Sequence, residues 1–165
     1  MSTELIYTTT STGPADTLKL GEALGASLSG GQVIELVADL GGGKTTFTQG
    51  LVKGLGSKDI VSSPTFTLKK VYQSGKLRIF HYDFYRLSEP GILRDELSES
   101  IGDKNAITII EWADIVSGVL PTDRITIELK PTANDPDERE VIIRYPEQFG
   151  EVIRKLETER QEVEP

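Results

Sequence analysis

Val33-Ile34-Glu35-Leu36-Val37-Ala38-Asp39-Leu40-Gly41-Gly42-Gly43-Lys44-Thr45-Thr46 decides the fold of this chain. Its opening residues form an apolar, β-branched run suited to a buried strand. Phe47, Leu51 and Leu55 follow at a spacing of four, which lines one face of a helix. Between strand and helix stand consecutive glycines and a Lys-Thr pair, the composition of a phosphate-binding loop. The glycines let backbone N–H groups turn inward around phosphate oxygens, and the helix start adds its dipole. Lys44 reaches the terminal phosphates, and the Thr45 hydroxyl suits magnesium. Ala38 stands where the strict pattern begins with glycine. It ends the strand, so its methyl group is tolerated unless φ must be positive.

Outward from the loop, strand and helix patterns alternate. Leu5 to Thr9 reads as a short strand, and Thr12 or Gly13 caps a helix with Pro14 in its first turn. Leu18, Gly21, Leu24, Gly25 and Leu28 mark one face of that helix, which ends at Gly30-Gly31. Gly54 and Gly56 close the helix after the loop. In Ser62-Ser63-Pro64-Thr65, Pro64 pushes Ser63 into an extended conformation. Phe66 to Val71 and Leu77 to Tyr82 read as a hairpin through Gln73-Ser74-Gly75. Glu89 to Ser100 carries helix formers, interrupted early by Gly91. Ala106 to Ile110 suits a central strand, and Ile125 to Leu129 with Glu140 to Arg144 suits a strand pair around the polar loop Thr132 to Glu138. Phe149, Ile153 and Leu156 stripe a charged C-terminal helix. Together these elements predict one α/β domain over residues 1–165, frayed at about 1–4 and 158–165. The expected architecture is a P-loop NTPase-like three-layer domain with a mixed sheet, mainly parallel at its centre.

The bulk numbers narrow the function classes. A chain of 165 residues buries a real core, and 37% hydrophobic with 27% charged residues is ordinary for a soluble globular protein. No apolar run reaches the length of a membrane span, and Glu4 with no basic start is unlike a signal peptide. The absence of cysteine excludes disulfides and thiolate metal sites and fits a reducing cytoplasm. A net charge of −8 disfavours direct binding to a nucleic-acid backbone, which needs Lys and Arg to displace counterions.

In such sheets ligands bind outside the carboxyl ends of the strands, and two acidic residues stand there. Along Leu77 to Asp83, a period of two puts Leu77, Ile79, His81 and Asp83 on one face, with Asp83 last. Along Ile107-Thr108-Ile109-Ile110-Glu111 the acid again follows a buried run. An apolar strand ending in an acid is the second signature of a nucleoside triphosphatase, because a hard cation takes oxygen ligands beside the Thr45 hydroxyl and the phosphates. One acid ligates magnesium while the other holds a metal-bound water or orients the attacking water; the spacing leaves open which. His81, the only histidine, is read as packed support for Asp83. Arg86 could face a phosphate or form a surface ion pair, and Thr65 suits a loop that senses the γ-phosphate.

Four segments resemble the TsaE (YjeE-type) ATPase family of bacterial tRNA threonylcarbamoyladenosine biosynthesis. They are Asp39-Leu40-Gly41-Gly42-Gly43-Lys44-Thr45-Thr46-Phe47, Ser63-Pro64-Thr65-Phe66-Thr67-Leu68, His81-Tyr82-Asp83-Phe84-Tyr85-Arg86-Leu87 and Glu111-Trp112-Ala113-Asp114. They occur in the family's order, and the resemblance spans about residues 14 to 145. It implies an ATP-binding, weakly hydrolysing subunit that works with the TsaB–TsaD heterodimer on N6 of adenosine 37 in tRNAs reading codons that begin with A. Contact with tRNA would be indirect, through that complex. By the same resemblance, Leu40 to Thr46 bind the ATP phosphates, with Lys44 the catalytic cation. Thr45 and Glu111 hold Mg2+, and Asp83 sits near the metal or the attacking water. Thr65 and Trp112 line the nucleotide site or switch region, Arg139 packs by the adenine, and one residue of Thr12 to Pro14 reaches the base.

Other readings separate on single features. A small-molecule kinase needs an arginine-bearing lid, yet Leu87 to Ile101 holds only Arg94 among several acids. A GTPase needs an Asn-Lys-x-Asp segment, which is not present. A non-catalytic nucleotide sensor would tolerate loss of hydrolysis so long as ATP still binds.

Overall fold

A computed structural model describes residues 3–39, 41–89 and 91–163. In chain order it contains β1 (Glu4–Ser11), α1 (Pro14–Ala26), β2 (Val33–Val37), α2 (Lys44–Gly54), β3 (Lys69–Ser74) and β4 (Leu77–Asp83). Then come α3 (Leu93–Ile101), β5 (Ala106–Glu111), a 3-10 segment at Ala113–Val119, β6 (Ile125–Pro131), β7 (Arg139–Pro146) and α4 (Gly150–Val163). The strands form one sheet in the order β1-β7-β6-β2-β5-β4-β3. Its centre is parallel: β2 pairs with β6 and β5, and β5 pairs with β4. The edges are antiparallel, with β1 on β7, β7 on β6, and β3 on β4. This is the mixed sheet with a parallel centre that the sequence predicts.

Burial explains the order. Every residue of β5 is buried, as befits a parallel strand covered on both faces. One sheet face carries Ile34, Leu36, Ile79, Ile107, Ile109 and Ile127 against Leu20, Leu24, Phe47 and Leu51 of α1 and α2, and Ile153 and Leu156 of α4. The other carries Phe80, Tyr82 and Ile110 against Leu97 of α3 and Val116 of the 3-10 segment. Each fully buried Leu, Ile or Phe contributes about 1.5–3 kcal/mol of transfer free energy. No described helix is long and apolar enough to cross a membrane.

α1 and α2 meet backbone to backbone. A Cβ added at Gly21 would stand 2.3 Å from the Phe47 carbonyl oxygen, and one at Gly25 would stand 2.2 Å from that of Leu51. Reciprocally, a Cβ at Gly50 or Gly54 would stand 2.1 Å from the carbonyl oxygen of Leu18 or Glu22. Two Gly-x-x-x-Gly faces thus interlock, and Gly54, the last residue of α2, packs against α1 as well as ending its own helix. Gly56, at φ 91°, makes the turn that follows.

Some boundaries differ from those the sequence predicts. The β3 strand begins at Lys69, not Phe66, because Leu68 has φ 68° and donates its N–H to the Pro64 carbonyl 2.5 Å away, closing a turn. The hairpin turns at Gly75-Lys76, since Ser74 and Leu77 are register partners. The α3 helix starts at Leu93, after Gly91 at φ 54°. The β1 strand extends to Ser11 because β7 pairs with its whole length. At the C-terminal end, α4 continues to Val163, and Arg160 donates to Asp16 at 3.0 Å and to the Thr10 carbonyl at 3.0 Å.

Candidate functional site

The loop between β2 and α2 is shaped by its glycines. Gly41 and Gly43 have φ of 75° and 102°, the left-handed region that disfavours side chains. A Cβ on Gly42 would lie 2.8 Å from the Asp39 carbonyl oxygen and 2.9 Å from the Ala38 methyl group. Ala38 is not among the positive-φ residues, which is why alanine is accommodated there. Gly43 caps α2 with no side-chain bond to its first N–H groups, leaving that positive helix end facing the loop. Leu40, expected among the phosphate-binding residues, lies outside the described residues.

Lys44 bends over the loop. Its Nζ donates to the carbonyl oxygens of Ala38 (2.8 Å) and Asp39 (3.1 Å) and lies 4.8 Å from the centroid of the Trp112 ring. Burial, which leaves Lys44 8% exposed, holds its ammonium below the ordinary pKa range, and the charges of Glu111, Asp83 and Asp39 oppose that shift. A cleft of about 270 Å³ joins Gly41, Gly42, Gly43, Lys44, Thr45 and Thr46 to Ser63, Thr65, Asp83, Glu111 and Trp112. A larger groove of about 580 Å³ between α1 and α4 lies elsewhere and shares none of these residues.

The two acids stand side by side. Asp83 and Glu111 are register partners at the carboxyl ends of β4 and β5, each 2% exposed. Asp83 Oδ2 accepts the Thr65 hydroxyl at 2.7 Å, and Oδ1 accepts the Tyr85 N–H at 2.9 Å. Glu111 Oε2 lies 3.0 Å from His81 Nε2, and His81 Nδ1 lies 3.4 Å from the Tyr72 hydroxyl. His81 therefore supports Glu111, not Asp83 as the sequence reading has it. Period two put His81 and Asp83 on one face, but the carboxylate within reach of the ring belongs to the neighbouring strand.

Chemically, the cleft offers the uncapped N-terminus of α2, one ammonium, the hydroxyls of Thr45, Thr46, Ser63 and Thr65, and two carboxylates. Among the described residues, no three His, Cys, Asp or Glu side chains gather as a stand-alone metal site. Two carboxylates with a hydroxyl match the complement Mg2+ takes when it arrives bound to phosphates.

A family model described as "Threonylcarbamoyl adenosine biosynthesis protein TsaE" matches residues 11–141. The chain belongs to the TsaE family. It is 37% identical over 133 residues to a tRNA threonylcarbamoyladenosine biosynthesis protein TsaE from Bacillus subtilis, covering 78% of each chain. A Treponema pallidum protein of the same name is 37% identical over 119 residues, covering 72% of this chain and 87% of its relative. The fold is similar to a crystal structure of Bacillus subtilis YdiB, with a TM-score of 0.74 at 31% identity over 97% of this chain and 98% of that one.

Set against the four TsaE-like segments, the geometry brings most of the expected residues into one cleft. Arg139 lies at its rim: Nε donates to the Gly42 carbonyl at 3.3 Å, and the other bonds from its guanidinium go to the carbonyls of Pro136 and Glu138. Ser11, just before the segment Thr12 to Pro14, is its β1 register partner, so the two base-side candidates adjoin. The Arg86 guanidinium lies 4.9 Å from the centroid of the Phe66 ring and makes no ion pair among the described residues. Sequence reasoning missed Ser63, which lines the cleft, and Tyr85, whose ring packs 4.9 Å from that of Trp112. Tyr85 had a signal, being two residues after an aspartate, where an Asx turn brings N–H to carboxylate. Trp112 adopts φ 56°, a costly conformation for a bulky residue.

Proposed function

We propose that this chain binds ATP with Mg2+, hydrolyses it slowly on its own, and serves tRNA N6-threonylcarbamoyladenosine formation with the TsaB–TsaD heterodimer. The observation that carries the reading is the shared cleft of the glycine loop, Lys44 and two strand-end carboxylates, in a chain of the TsaE family.

In this reading the loop N–H groups and the start of α2 bind the phosphates, and Lys44 neutralises charge that builds on the leaving and γ-oxygens. Thr45 and Glu111 would hold Mg2+, whose part is to neutralise phosphate charge and polarise the γ-phosphoryl group. Asp83 accepts a hydrogen bond from the attacking water and aligns it. The water oxygen bonds to the γ-phosphorus while the bond to the bridging oxygen breaks, giving ADP, inorganic phosphate and a proton released to solvent. None of the described residues lining the cleft is an arginine, which supports slow turnover until a partner supplies the missing charge. The net charge of −8 leaves tRNA contact to the partners, and the setting is the cytoplasm.

A pulldown of TsaB–TsaD with this chain, with and without ATP and Mg2+, tests the reading. Nucleotide-dependent capture with faster ATP turnover supports it. Capture indifferent to nucleotide, with turnover unchanged by the heterodimer, would overturn it.

A further inference from the structure

The Ser62–Thr65 loop is fastened at two points to the two acids of the cleft. At one end, the Thr65 hydroxyl donates to Asp83. At the other, the Tyr72 hydroxyl donates to the Ser62 carbonyl at 3.2 Å and also lies 3.4 Å from His81 Nδ1, while His81 Nε2 meets Glu111. The Lys70 ammonium also holds the Ser62 hydroxyl. Tyr72 and His81 are both buried, at 3% and 0% exposure, so the Tyr72–His81 and His81–Glu111 contacts are shielded from solvent, whereas Ser62 is exposed. The sheet sets the arrangement: Tyr72 and Lys70 lie on β3 against Ile79 and His81 of β4, and Glu111 follows on β5.

Proton counting makes the arrangement exclusive. An ionised Glu111 is an acceptor only, so His81 Nε2 carries the hydrogen that faces it, and in the neutral ring Nδ1 is then an acceptor. The Tyr72 hydroxyl has one hydrogen and two acceptors within reach, the Ser62 carbonyl and His81 Nδ1. The hydrogen serves one of them at a time, and leaving the buried Nδ1 without a partner is the costlier choice. The loop and Glu111 therefore draw on the same hydrogen.

We propose that Tyr72 and His81 are positioning residues that tie the Ser62–Thr65 loop to the orientation of Glu111. This rests on the reading of Glu111 as a ligand of nucleotide-bound Mg2+. A shift of the carboxylate moves the imidazole, and the imidazole competes for the hydrogen that anchors Ser62. Beyond Thr65 the loop presents Phe66, 82% exposed, so the chain of bonds runs from the cleft to the surface.

Tyr72→Phe keeps the ring in the core and removes only the hydroxyl. The full-length variant is compared with wild type in four measurements. Without nucleotide, the imidazole nitrogen resonances of the single histidine and amide exchange over residues 62–67 are recorded. With ATP, the Mg2+ concentration for half-maximal turnover is read beside Trp112 fluorescence, a reporter made specific because Trp112 is the only tryptophan. The expected result is a shifted His81 Nδ1 resonance, several-fold faster exchange at the loop, and an Mg2+ requirement raised about 10-fold, as for lost support of a metal ligand. His81→Gln, which keeps an amide donor toward Glu111 but lacks the Nδ1 acceptor, should restore the Mg2+ requirement. If loop exchange or Mg2+ requirement in Tyr72→Phe stays at the wild-type value, the proposal is overturned. If wild type binds no ATP, the functional reading falls, and the nucleotide-free measurements alone decide the link.

Discussion

Asp83 and Glu111 are register partners across the parallel β4–β5 ladder, so two buried carboxylates end adjacent strands at the mouth of the glycine loop. Groups that act as one unit lose activity non-additively. Asp83→Asn and Glu111→Gln are each expected to lower ATP turnover about 100-fold, and the double variant less than about 10-fold further. Phosphate release at saturating Mg2+ measures this. Full additivity would mean that the two acids serve separate steps.

Lys44 is the only ammonium over the loop among the cleft-lining residues. At a free MgATP concentration of 100 times Kd, wild type should gain about 2.7 kcal/mol of stability. Lys44→Ala is expected to show no such gain in thermal unfolding. An undiminished gain would move phosphate binding away from this loop.

Gly21 and Gly50 have no room for a methyl group, since the obstacle in each case is a backbone carbonyl of the facing helix. Gly50→Ala should cost about 2–3 kcal/mol by overpacking. Gly150→Ala, at the start of α4 with φ −55° and nothing within 4 Å, should instead stabilise by about 0.5 kcal/mol. Urea unfolding of the pair checks both signs. Equal effects would show that the α1–α2 crossing has slack.

Asp16 gives a pH signature. Burial pushes its carboxyl up, but hydrogen bonds from Arg160 and the Thr12 N–H, with the Arg160 charge, outweigh it and leave the group below 3.8. A depressed folded pKa means stability that is fully present above the unfolded pKa and lost as pH falls through the folded one. After solvent screening of this partly exposed pair, Asp16→Asn should cost about 0.5–1 kcal/mol at pH 7. The difference should fade on titration below 3.8. A difference constant down to pH 2 would assign the cost to packing instead.

The fold was legible where pattern is local. The run Val33 to Val37, the glycine loop and the spacing of Phe47 and Leu51 state strand, turn and helix within twenty-odd residues, and Asp83 and Glu111 follow from the strand-end rule. What failed depends on partners distant in sequence. His81 was paired with the wrong acid because strand order, which sets Glu111 beside it, is not written in period two. Phe66 to Leu68 read as strand because nothing in a β-favouring run announces that Leu68 turns to a positive φ. Gly54 does end α2, but its contact with the Glu22 carbonyl was not legible, because a glycine that admits a neighbouring helix shows it only once the neighbour is in place.

The interlocked glycines of α1 and α2 also decide where motion can occur. The helix that begins at Lys44 rests on its neighbour with no layer of side chains between the two backbones, so it has nothing to slide or re-pack upon. That wall of the cleft is an anvil. The facing wall at residues 62–65 is instead tied by individual hydrogen bonds, from Thr65 to Asp83 and from Tyr72 to the Ser62 carbonyl. Under the proposed function, work done at the phosphates would be delivered to that side, where a second protein could read the nucleotide state.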